Sequence, residues 1–172
     1  MHHVLGQKFF NRPTLRVAKE LLGKFLYRRY PSAGSGQGRG KIIRGMITEV
    51  EVYDGFKDKA SHASRGETPR NKIMFGPAGY WYVYFTYGMH WMVNIVTREK
   101  GYPAAILIRG IATKSDNYEL GNEKPRIISG PARVTKFLHI DKSLKNKKAS
   151  RRTGLWIAAP SERASAPPPA GG

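Results

Sequence analysis

Cysteine is absent from the chain. That absence excludes disulfides, cysteine-ligated zinc, iron–sulfur clusters and thiol nucleophiles together. Acidic residues are scarce: 12 Asp and Glu stand against 30 Lys and Arg, for a formal net charge of +18. Such a surplus destabilises a compact chain by self-repulsion and needs a reason. An anionic polymer supplies one, because counterions released from a phosphate backbone give salt-sensitive affinity. A solubilising surface or a ribosome-type protein is the plainer alternative. Long apolar runs are also missing. No stretch approaches the ~20 residues that span a bilayer, and Met1-His2-His3-Val4-Leu5-Gly6 does not read as a signal peptide. The expectation is a soluble intracellular protein. The five histidines lack zinc-ligand spacing, so no metal and no other cofactor is expected.

What is present suits one domain: 172 residues, of which 40% are hydrophobic, are enough for a real core. Asn11-Arg12-Pro13-Thr14 predicts a helix start, followed by Leu15, Ala18, Leu21 and Leu22 at helical spacing and a stop at Gly23. Lys24 to Tyr30 reads as a short strand. The Gly- and Ser-rich stretch 32–40 reads as a flexible surface loop. Lys41 to Tyr53 alternates as a strand, with Val50 and Val52 on one face and Glu49, Glu51 and Tyr53 on the other. Asp54 to Pro77 is a long polar loop. Gly79 to Tyr87, His90 to Thr97 and Ala104 to Ile111 read as three strands of an antiparallel meander. Ser129-Gly130-Pro131 opens a second helix, with Val134, Phe137 and Leu138 on one side. Residues 1–157 form the expected domain. The Ala/Pro/Ser/Gly stretch 158–172 reads as a disordered tail.

Four features point to chemistry. Glu49 and Glu51 share one strand face in a strongly basic chain. Two solvated or ion-paired acids produce that pattern; so does a general base set in a basic groove, where a carboxylate takes a proton from an attacking water. Tyr80, Tyr82 and Tyr84 share a face, with Trp81, Val83 and Phe85 expected in the core. A plain sheet core explains such a row, and so does a pocket that stacks a nucleobase between rings. Tyr87, just before Gly88, sits at a predicted hairpin tip, where a bulky ring is placed to wedge into a base stack. The loop from His62 to Asn71, too polar for a core, carries Arg65 and Arg70, with Lys72 just beyond. Together with Ser129 and Gly130 at a helix start, and Lys142 and Lys145 in the basic segment Lys142 to Arg152, these residues are candidates for phosphate contacts.

The motifs Thr48-Glu49-Val50-Glu51-Val52-Tyr53, Asp58-Lys59-Ala60-Ser61-His62, Thr68-Pro69-Arg70-Asn71, Met74-Phe75, Tyr82-Val83-Tyr84, Tyr87-Gly88-Met89-His90 and Asn94-Ile95 follow one another in order. In that order the chain resembles the 3-methyladenine (alkyladenine) DNA glycosylase family over roughly residues 7 to 157. Val52 stands where the family usually has Ala. The resemblance implies a mixed α/β (α+β) domain around a curved antiparallel sheet with flanking helices, similar to the formyltransferase C-terminal-domain-like fold. It implies Glu51 as the base that activates water, with Arg109 and His62 helping to hold the water and the target nucleotide. Tyr53, His62, Tyr84 and Asn94 then form the base pocket, and Tyr87 fills the gap in the duplex.

The implied partner is double-stranded DNA carrying a damaged purine, such as 3-methyladenine, 7-methylguanine, hypoxanthine or ethenoadenine. The implied enzyme is a monomer without cofactor or metal. No lysine is placed by motif to form a Schiff base, so no strand-cleaving lyase step is expected. The expected location is cytoplasmic and nucleoid-associated in a bacterium, towards which the short length leans, and nuclear in a eukaryote. The stretch Ile111 to Ile128 is shorter than is common in the family. Ala158 to Gly172 stands where a closing segment with a further strand is expected. The alternative is a basic DNA- or RNA-binding domain that keeps the fold without turnover. A sugar-chain glycosidase using Glu49 and Glu51 is disfavoured, because a +18 surface suits no neutral polymer.

Overall fold

The longest strand grows from the longest alternating stretch of the sequence. In a computed structural model, which describes residues 2–30, 40–56, 58, 61, 63–64, 66–113 and 125–160, β3 runs from Lys41 to Asp54. It pairs antiparallel with β2 (Phe25–Tyr30) on one side and β6 (Ala104–Thr113) on the other. β4 (Trp81–Thr86), β5 (His90–Val96) and β6 form the expected meander. Two further strands complete that side of the chain: β1 (His3–Val4) and β8 (Leu155–Ala159). The order is β1-β8-β2-β3-β6-β5-β4, and β7 (Arg126–Ser129) also pairs with β6. The result is a mixed α+β fold around a strongly curled antiparallel sheet with few helices. Among the described residues no helix is long and apolar enough to cross a membrane.

The helices are short and lie against one face of the sheet. α1 spans Gln7–Phe10, α2 Thr14–Leu21 and α3 Pro131–Phe137. Pro13 precedes α2 with φ near −49°, and Pro131 is the first residue of α3, where its missing N–H costs nothing. The buried stripe of α2 is Thr14, Val17, Ala18 and Leu21, spaced for one helical face. Leu15 and Leu22, expected in that stripe, are exposed. Leu15 is turned about 100° from Thr14 by the helical period, and Leu22 already has extended backbone. The Thr14 hydroxyl donates to Asp54 Oδ1 at 2.9 Å and so pins the start of α2 to the end of β3.

The main core lies between these helices and the sheet, with Leu26, Trp81, Val83, Val93, Ile95, Ile106 and Ile108 pointing into it from the strands. Each such side chain contributes roughly 1.5–3 kcal/mol when fully buried. Phe85 was expected there too, but it is 45% exposed and leans on Trp91, ring centroids 4.7 Å apart.

The loop after β3 also differs from expectation. Ala63, Ile73 and Met74 are buried with Tyr82, Val96 and Ala105 in a second cluster on the opposite sheet face. Ile73 and Met74 belong to a short 3-10 turn, Lys72–Phe75. Asn71 is buried beside it and holds the loop through its own side chain: its Oδ1 accepts from the Thr68 N–H at 2.7 Å, and its Nδ2 donates to the Gly66 carbonyl at 2.9 Å. A loop whose polar groups bond internally can be polar in sequence and buried in space.

β8 is a strand that composition hides. Ala158 and Ala159 belong to it, pairing with Val4 and His3 of β1. The strand therefore runs past the expected domain boundary at 157. Residues 161–172 lie outside the described residues, as do those of the predicted loop 32–40 apart from Gly40.

Candidate active site

Strand alternation puts the site on the sheet face opposite the helices. Val50 and Val52 pack against the main core. Glu49, Glu51 and Tyr53 therefore project the other way. In register with them, Glu51 pairs with Leu107, Leu107 with Asn94, and Asn94 with Tyr82. One row across four strands thus runs from Glu51 to Tyr82, and Tyr53 and Tyr84 stand in the neighbouring rows.

The sheet is irregular where Arg109 enters. Ile47 pairs with Ile111, Glu49 with Gly110 and Val50 with Ile108, so Thr48 and Arg109 are both left out of the register. Paired bulges of this kind re-aim side chains. β5 pairs with β6 only at 105–107 and β7 only at 110–113, so Arg109 falls between them. Its carbonyl accepts from the Gly130 N–H at 2.8 Å.

Arg109 and Tyr53 hold the two oxygens of Glu51. The Tyr53 hydroxyl donates to Oε1 at 2.7 Å, and Arg109 Nη1 donates to Oε2 at 2.6 Å. Arg109 Nε donates to Glu49 Oε1 at 3.0 Å, and the Ser129 hydroxyl reaches Glu49 Oε2 at 3.5 Å. These bonds to Glu49 and then Glu51 raise the Arg109 pKa further above its ordinary value. Burial, and after it the bond to Glu51, pushes the Tyr53 pKa far up, so Tyr53 stays a neutral donor. A carboxylate has about four lone-pair sites; with one bond on each oxygen, Glu51 keeps acceptor capacity for a water.

Beside Glu51 lies a small hollow of about 10 Å³, lined by Tyr53, Met74, Tyr82, Tyr84 and Asn94. That is about the room of one water molecule. Met74, Tyr82 and Asn94 are buried, whereas Tyr53 and Tyr84 are half-buried at its rim. Asn94 Nδ2 donates to the Tyr82 carbonyl at 3.2 Å, which fixes the amide in the wall. The rings of Tyr82 and Tyr84 are 5.0 Å apart, and the Arg70 guanidinium stands 5.1 Å from the Tyr84 ring centroid. Burial pushes the Tyr82 hydroxyl pKa up to about 12 and raises that of Tyr84.

The hairpin tip follows directly from Tyr84. The Met89 N–H donates to the Thr86 carbonyl at 3.2 Å, closing a turn whose central residues, Tyr87 and Gly88, have φ of 52° and 66°. Glycine adopts such angles freely, whereas tyrosine does so at a cost of ~1–2 kcal/mol. Tyr87 stands out at 86% exposure, with Met89 beside it at 67%.

Of the predicted site residues, Glu51, Tyr53, Tyr84, Asn94 and Arg109 come together on one face. Arg70, a candidate phosphate contact, is exposed and lies over the Tyr84 ring. Ser129 meets Glu49, and Gly130, with φ of 104°, ties the start of α3 to Arg109. Lys72, Lys142 and Lys145 are exposed. The segment that carries Lys142 and Lys145 is tied to the start of β4, where Asn146 N–H donates to the Trp81 carbonyl, at the far end of that strand from the tip. His62 and Arg65 lie outside the described residues. The base pocket implied by the family resemblance includes neither Tyr82 nor Met74, which both line the hollow. Period two already set Tyr82 beside Tyr84, but Met74 sits in a 3-10 turn whose sequence carries no periodic signal.

The profile of the methylpurine-DNA glycosylase (MPG) family matches residues 8–169. A protein of Ehrlichia chaffeensis is 40% identical over 158 residues, covering 91% of this chain and 77% of its own. One of Methanocella arvoryzae is 42% identical, covering 90% and 76%, and one of Sodalis glossinidius is 46% identical, covering 81% and 71%. Each of the three carries the name "Putative 3-methyladenine DNA glycosylase". With the profile spanning nearly the whole chain, this protein belongs to the methylpurine-DNA glycosylase family.

Proposed function

We propose that this protein excises alkylated purines from duplex DNA by base flipping and hydrolysis, with Glu51 activating the water. The observation that carries the reading is the Glu51 carboxylate, hydrogen-bonded on both oxygens by Tyr53 and Arg109, beside an aromatic hollow. Water adds to C1′ of the sugar and gives its proton to Glu51. The bond from C1′ to the purine breaks, and its electron pair leaves with the base. A purine alkylated on its ring carries positive charge and leaves as a neutral molecule, so no strong acid is required for it. As positive charge develops on the sugar, the Glu51 carboxylate offsets it at close range.

The tyrosine rings of the rim stack the flipped base, and Asn94 presents its amide to the exocyclic group. Hypoxanthine and ethenoadenine are neutral alternatives for the same slot. A purine needs more room than the hollow offers, so admission parts the half-buried rings of Tyr53 and Tyr84. Tyr87 enters the stack the lesion leaves; flipping costs a few kcal/mol, least for a damaged or mispaired base. Arg70, Lys72, Lys142 and Lys145 serve the phosphate backbone, and the +18 charge makes binding salt-dependent. His62 joins Arg109 in holding the water. The protein works as a monomer and leaves an abasic site without cutting the strand.

The test is incubation with duplexes that each carry one lesion, ethenoadenine or hypoxanthine, and with methylated DNA. Free purine and an abasic site are expected, with no covalent adduct after borohydride. Tight binding with no purine released from any of them would leave a non-catalytic binding domain in place of the enzyme.

A further inference from the structure

Glu51 does not stand alone on its strand face. Two residues earlier, Glu49 binds the same guanidinium: Arg109 Nε donates to Glu49 at 3.0 Å while Nη1 donates to Glu51 at 2.6 Å. A guanidinium is a rigid planar fork, so fixing one side of it sets the direction of the other. Glu49 is itself placed from both sides. Ser129, the last residue of β7, reaches its second oxygen at 3.5 Å. Gly110 lies opposite it in the register, where an added Cβ would come within 2.9 Å of Glu49 Cβ and 3.0 Å of Thr48 Oγ1. The paired bulge at Thr48 and Arg109 brings these groups together.

We infer that Glu49 is a positioning residue for base excision: it holds Arg109 so that the guanidinium clamps the carboxylate of Glu51. The inference rests on Glu51 being the base. Glu49 touches neither the hollow nor the reacting atoms, and it acts in two ways. It fixes the angle at which Arg109 meets Glu51, and it takes a share of the positive charge that would otherwise fall on Glu51 alone. Among the described residues the groups facing Glu51 are Tyr53 on its own strand, Arg109 on β6, Tyr84 on β4 and Glu49. Neutralising Glu49 removes a negative charge from this set and leaves Arg109 wholly to Glu51. Glu51 then binds a proton less readily, so the acid limb of the rate moves to lower pH while the plateau falls.

The experiment is single-turnover base release across pH, on whichever lesion duplex the unaltered protein cleaves, for Glu49→Gln, Glu49→Asp, Gly110→Ala and Glu51→Gln. Affinity for the same duplex is measured beside it. Glu49→Gln is expected to lose about 10- to 100-fold in plateau rate, with DNA affinity unchanged within about twofold and the acid limb displaced downward. Glu49→Asp restores the limb and part of the rate. Gly110→Ala keeps every charge and displaces Glu49, so it loses rate in the same direction. A Glu49→Gln protein with the original rate and limb overturns the inference, as does one that loses rate with the limb unmoved, which is what damage to the strand alone produces. Glu51→Gln reports separately: full activity there removes the base itself, whatever Glu49 does.

Discussion

The two faces of the sheet are built from the same strands and do opposite work. Val50 and Val52 face helices and aliphatic strand residues, whereas Glu51 and Tyr53, one residue out of phase, face Arg109 and the tyrosine hollow. The covered face is apolar and closed. The other carries a carboxylate pair, a bulged arginine and half-buried rings, and its second core is a small cluster under a loop. The difference teaches that stability and chemistry are separated here by a single residue of strand phase. Polar side chains near 40% exposure contribute little to folding, so the reactive face is free to be specified by geometry.

That separation can be broken from either side. Glu51→Gln keeps the shape of the side chain, and base release is expected to fall by about 10²–10⁴-fold with the melting temperature and abasic-DNA affinity nearly unchanged. Normal release by this variant removes Glu51 from the chemistry. Ile106→Ala, on the covered face and paired with Val52, is expected to cost about 2–5 kcal/mol of stability. Its activity per folded molecule should match the original at low temperature; chemical denaturation beside active-site titration checks both.

Tyr82 sharpens the comparison, because it is a buried polar residue on the reactive face. Its pKa rises on folding from near 10 to about 12, so the neutral hydroxyl favours the fold below pH 10. Stability is expected to fall between roughly pH 10 and 12, by about 3 kcal/mol in total, and Tyr82→Phe should flatten that part of a pH series of thermal melts. An unchanged slope in the variant assigns the loss to other groups. The smallest effect on stability is expected from Tyr87→Ala, within about 0.5 kcal/mol, since the ring is exposed. Its effect belongs to function: lesion capture in a fluorescence flipping assay should weaken more than binding to undamaged duplex does. Equal losses in the two assays would make Tyr87 an ordinary DNA contact.

Much of this was legible in the chain because strand alternation is a strong signal. The phase of Glu49, Glu51 and Tyr53 against Val50 and Val52, and the run of β4, β5 and β6, follow from period two and turn residues alone. What escaped had no such period. β8 is a short strand, Leu155–Ala159, whose last residues look like the start of an Ala- and Pro-rich tail. The helix stripe of α2 contains Thr14, whose burial depends on a hydrogen bond to Asp54 forty residues away. The loop after β3 buries Asn71 through bonds to its own backbone, so its polarity misled. The bulge that aims Arg109 is a property of two strands together and is written in neither one. Phe85 kept the phase of a core residue, yet it stands exposed near the hairpin tip against Trp91.

The position of β8 has a consequence for how the chain is made. It lies between β1 and β2, so a ribosome has emitted both of its neighbours long before it appears. Until Leu155–Ala159 emerges, β2 lacks its partner on that edge, and β1, paired only with β8 among the described residues, lacks its ladder. Such distant pairing is slow to form. The nascent protein must therefore carry an open seam, with Leu26 beside it, until β8 arrives to close it.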